Sequence, residues 1–78
     1  MDVTYFALAT TSESFYVQVI DGSNQRLFVK YSARGEKINS WIWLDYSINV
    51  IDDIFELFND CSAFEIEPCL WPYIVNKK

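Results

Sequence analysis

The chain has 78 residues, 51% of them apolar, 22% charged and 18% aromatic, with eleven acids against six bases for a net charge of −5. That balance excludes intrinsic disorder, and two Gly and two Pro exclude collagen-like or low-complexity character. It leaves one small domain, residues 1–78, with little general affinity for duplex DNA or anionic membranes.

The expected elements begin with a strand from Val3 to Thr10, rich in β-branched, aromatic and small residues. Thr11-Ser12-Glu13-Ser14 is a polar break, and Phe15 to Ile20 then alternates as a second strand. Asp21-Gly22-Ser23-Asn24 between two alternating runs marks a hairpin. Arg26 to Ser32 sets Leu27, Val29 and Tyr31 against Arg26, Phe28 and Lys30. A turn at Arg34-Gly35-Glu36-Lys37 leads to a fourth strand, Ile38 to Leu44, with Ile38, Ile42 and Leu44 opposite Asn39, Trp41 and Trp43. Short connections make neighbouring strands antiparallel.

A helix follows, capped by Ser47 or Asn49, with Asp52 and Asp53 in its first turn. Ile51, Ile54, Phe55 and Phe58 form its apolar stripe, broadened by Ile48, Val50 and Leu57. Asp52, Asp53, Glu56 and Asp60 take the opposite side. Pro68 and Pro72 prevent a second long helix, while Phe64-Glu65-Ile66-Glu67 alternates like a short edge strand. The expected fold is α+β: an antiparallel β-meander of four or five strands with one amphipathic helix on one face. That helix is expected on the face of Leu27, Val29, Tyr31, Ile38, Ile42 and Leu44.

Charge is segregated along the chain. Gly22 to Lys37 holds four bases and one acid; Ile38 to Asn76 holds seven acids and no base. Like charges at i, i+4 cost a few tenths of a kcal/mol each. The stripe therefore reads either as a solvated helix face or as a docking surface for a basic partner. The docking reading assigns partner contacts to Asp45, Asp52, Asp53, Glu56, Asp60, Trp41 and Trp43. A second constellation, Arg26, Phe28, Lys30, Trp41 and Trp43, shares the other sheet face. Left open, it would suit stacked single-stranded bases. Covered by the C-terminal tail with Trp71 and Tyr73, or by a second copy as a homodimeric adaptor, it would not.

The chain has no His, which removes the commonest general base and the usual triads. Cys61 and Cys69 alone cannot close a zinc site and read as two buried free thiols. No enzymatic activity, cofactor or metal is expected. The Met-Asp start lacks a basic n-region, and the apolar runs are too short to span a bilayer. The expected setting is the cytoplasm of a bacterial or phage-infected cell. A tiny acidic, aromatic-rich domain without catalytic residues is similar in kind to phage counter-defence inhibitors such as anti-CRISPR proteins, and to immunity proteins. The likeness covers composition and layout and no motif. It implies a small inhibitor that binds a basic, nucleic-acid-handling protein.

Overall fold

A computed structural model describes residues 2–75. Strands β1 (Asp2–Ala9), β2 (Ser14–Asp21), β3 (Arg26–Ser32) and β4 (Lys37–Trp43) form the expected antiparallel meander. Helix α1 (Val50–Leu57) follows, then β5 (Ser62–Ile66), a 3₁₀ turn (Pro68–Leu70) and the short helix α2 (Trp71–Val75). The sheet order is β4-β3-β2-β1-β5, so the chain is α+β with five antiparallel strands. Because β4 and β5 lie at opposite edges, the segment between them must cross the sheet. Helix α1 makes that crossing.

The hairpin at Asp21-Gly22 closes with the Gly22 N–H donating to the Gln25 carbonyl at 2.8 Å. The turn before β4 places Gly35 at φ +87, where the Ile74 and Val75 backbone presses on it. A Cβ there would be strained and would also push α2 off the turn. Asn49 caps α1, its side chain accepting from the Ile51 N–H at 3.0 Å. The helix ends at Leu57: Phe58 turns extended while its N–H still reaches the Ile54 carbonyl at 2.8 Å. Asp60 follows in the left-handed region at φ 56, which Asp tolerates better than most residues. Asp60 therefore stands beyond the helix and does not continue an i, i+4 row from Asp52 and Glu56.

The expected placement of α1 is corrected by the structure. The helix covers the face of Phe6, Leu8, Phe15, Val17, Val19 and Phe28, with Ile54 fully buried at its centre. Trp41 and Trp43 lie half-buried on that same face. Trp41 meets Phe58 edge-on at 5.5 Å, and Trp43 meets Phe28 at 5.3 Å. Both sheet faces are apolar, so alternation sorts residues onto faces without saying which face a helix will choose.

The other face takes the C-terminal segment instead. Trp71, buried, stacks on Tyr5 at 4.5 Å and meets the edges of Tyr31 at 5.2 Å and Tyr16 at 6.3 Å. Tyr31 donates to the Gln18 side-chain oxygen at 3.3 Å. Burial, and secondarily the neighbouring Tyr5, raises its phenol above the ordinary value of 10.0. The folded chain thus keeps this proton at a pH where the unfolded chain has lost it. Its contribution to stability is complete below pH 10 and is lost as pH rises through the folded value. Denaturant titrations at rising alkaline pH should show a shallower loss of stability in Tyr31→Phe than in the native chain.

Candidate functional site

The face of α1 is organised around one buried cation. Arg26 begins β3 on the apolar face beside Phe28 and is only 4% exposed. A buried guanidinium must be paired and hydrogen-bonded, and the fold supplies both. Directly across the ladder, Asp21 accepts from Arg26 Nε at 2.5 Å. From α1, Asp53 Oδ2 accepts from Arg26 Nη1 at 2.6 Å, and the Ser47 carbonyl accepts from the same nitrogen at 2.9 Å. The Ser47 N–H in turn donates to both Asp53 oxygens at 3.1 and 3.2 Å. The Tyr46 ring lies 4.9 Å from the guanidinium carbon. Burial opposes the charge on Arg26, but the two carboxylates outweigh it and raise the guanidinium above its already high value.

This network sets the rotation of α1 about its axis. Asp53, 3% exposed, turns inward with Ile54, which carries Phe55 outward to 45% exposure. Asp52 and Glu56, one turn apart, are exposed as well. Two expectations are thereby corrected: Asp53 leaves the exposed acidic stripe, and Phe55 leaves the buried apolar one. Ile48, expected to broaden that apolar stripe, is fully exposed just before the cap.

The remaining predicted residues are placed as follows. Asp45 and Asp60 are exposed, one in the bend after β4 and one in the turn after α1. Arg26 and Phe28 are buried, so the open aromatic and basic face does not exist. Lys30 lies 4.3 Å over the Phe15 ring and 3.4 Å from Glu13 Oε1. Trp41 and Trp43 sit beneath α1 and present no stacking platform to bases. Among the described residues, Asp45, Asp52, Glu56 and Asp60 form no ion pair.

Among the described residues no three His, Cys, Asp or Glu side chains converge to hold a metal ion, and no helix is long and apolar enough to cross a membrane. Cys61 and Cys69 are free, but the expected burial is corrected: Cys69 is exposed and Cys61 only half-buried, donating to the Phe58 carbonyl at 3.0 Å. Burial raises the Cys61 thiol above its ordinary range, which makes it a poor nucleophile at neutral pH. The outer surface of α1, with Asp52, Glu56 and Phe55 exposed, is the arrangement best suited to contact another molecule. Compared with protein-family models, with curated proteins and with solved structures, the chain matches none.

Proposed function

We propose that the chain is a small binding inhibitor. It docks the outer face of α1 into a basic groove on a nucleic-acid-handling protein and occupies the surface meant for phosphates. The observation that carries this reading is the contrast between two adjacent aspartates. Asp53 is consumed by the fold. Asp52, Glu56 and, past the end of the helix, Asp60 remain exposed, and Phe55 on the same outer surface of α1 is 45% exposed. Carboxylates of this kind speed encounter with a cationic groove, and Phe55 supplies an anchor that leaves water on binding. The likeness in kind to phage counter-defence inhibitors and immunity proteins supports the same class. It names no partner.

Charge reversal tests the proposal. Glu56→Lys turns a repulsive i, i+4 pair with Asp52 into an attractive one, so the melting temperature should hold or rise slightly. Used as bait in a bacterial lysate, the native chain should retain a basic protein that salt elutes, and Glu56→Lys should retain much less. With that protein purified, association should slow about tenfold and depend less steeply on salt. Unchanged retention would leave the carboxylates as a solubility device and sink the docking reading.

A further inference from the structure

The two edges of the sheet are protected very differently. An edge strand offers unpaired N–H and C=O groups to any other strand, and proteins blunt it with charges, prolines or coverage. The β5 edge carries Glu65 and Glu67 and runs into Pro68. The β4 edge is charged only at its first residue, Lys37; from Ile38 to Trp43 it has neither charge nor proline. Ile42, 60% exposed, ends an apolar row of Val3, Ile20, Leu27 and Ile42 that crosses four strands and stops at the open edge. Ile38 and Leu44 are exposed as well. The register irregularity opposite Lys30 and Tyr31 lies at the start of β4 and leaves Asn39 to Trp43 regular.

We propose that β4 pairs antiparallel with β4 of a second copy about a two-fold axis at Trp41, joining the two sheets into one of ten strands. Self-pairing is favoured by the charges that bracket this edge. Lys37 opens β4 and Asp45 stands in the bend two residues past its end, both exposed. An antiparallel two-fold at Trp41 sets Ser40 across from Ile42 and Asn39 from Trp43, and brings Lys37 toward the bend that carries Asp45 of the second copy. The bracketed segment is electrically balanced, which matters for two chains that each carry −5. Isologous pairing of one surface with itself is the commonest route to a dimer. The outer face of α1 takes no part, so this inference stands apart from the docking proposal.

Light scattering and sedimentation over a dilution series read the outcome. The native chain should reach twice its 9.2 kDa mass. Lys37→Glu and Asp45→Lys should each weaken the dimer about tenfold, because each converts two symmetry-related attractions into repulsions. The double variant Lys37→Glu/Asp45→Lys should restore it. Ile42→Lys should abolish it, with circular dichroism confirming that each variant remains folded. A chain that is monomeric at every concentration overturns the proposal and leaves the edge open to a strand of a different protein. A dimer indifferent to the charge swap also overturns it, since the copies then meet elsewhere.

Discussion

Asp53→Ala should be among the most damaging single substitutions in the chain, while Asp52→Ala, one residue away, should be nearly silent. Removing Asp53 takes away the carboxylate 2.6 Å from Arg26 Nη1 and the acceptor of the Ser47 N–H. Breaking a buried pair from one side costs about 3–5 kcal/mol, chiefly because the surviving charge stays buried. Asp21 still compensates part of the Arg26 charge, which places the cost toward the lower end. A loss of about 3 kcal/mol lowers the melting temperature of so small a domain by roughly 12–24 °C. Asp53→Asn keeps an acceptor in place and should cost less. Asp52 is exposed and unpaired among the described residues, so its loss should stay within about 0.5 kcal/mol. Equal effects at the two positions, read by thermal and urea unfolding, would mean that α1 is rotated differently about its axis.

Trp71→Ala should produce a loss of similar size on the opposite side of the sheet. Trp71 is 6% exposed and joins Tyr5, Tyr16 and Tyr31 into a cluster. Large-to-small changes at buried Trp cost about 3–5 kcal/mol. Here α2 is a single short turn at the surface, so partial collapse onto the tyrosines should hold the loss near the low end. Amide exchange distinguishes two consequences. If Trp71 contributes to global stability, protection should fall throughout β1 to β3. If exchange quickens only around Gly35 and α2, the C-terminal segment is an appendage whose docking is local. The first outcome is expected, because the α1 face supplies only one of the two apolar layers that a domain of this size needs.

Much of this architecture was legible in the residue pattern. Strand alternation, Asp-Gly at the first hairpin, short connections and the Asn49 cap each act over a few residues, where propensity and sterics decide. The acidic character of α1 was legible for the same reason, since charge and exposure go together for any residue without a partner. Phe55 was not legible as an exposed side chain, because apolar spacing on a short helix fits more than one rotation about its axis; Ile48 was not because it precedes the Asn49 cap, where helical spacing no longer applies. Arg26 carried the missing signal. A guanidinium alternating onto the face of Phe28 requires carboxylates, and Asp21 opposite it supplies only one of them.

The sequence by itself thus determined the α+β class, the meander, the helix and the pairing of residues that share a sheet face. Only the tertiary structure decided which face α1 covers, that β5 returns to the far edge beside β1, and which of two adjacent aspartates is buried. The physical reason is range. Local preferences settle what each segment is, whereas two apolar faces of similar quality are told apart only by a contact between distant residues. In this chain that contact is Arg26 with Asp53, which buries one carboxylate beneath the sheet-covering helix and leaves its neighbours Asp52 and Glu56 facing solvent.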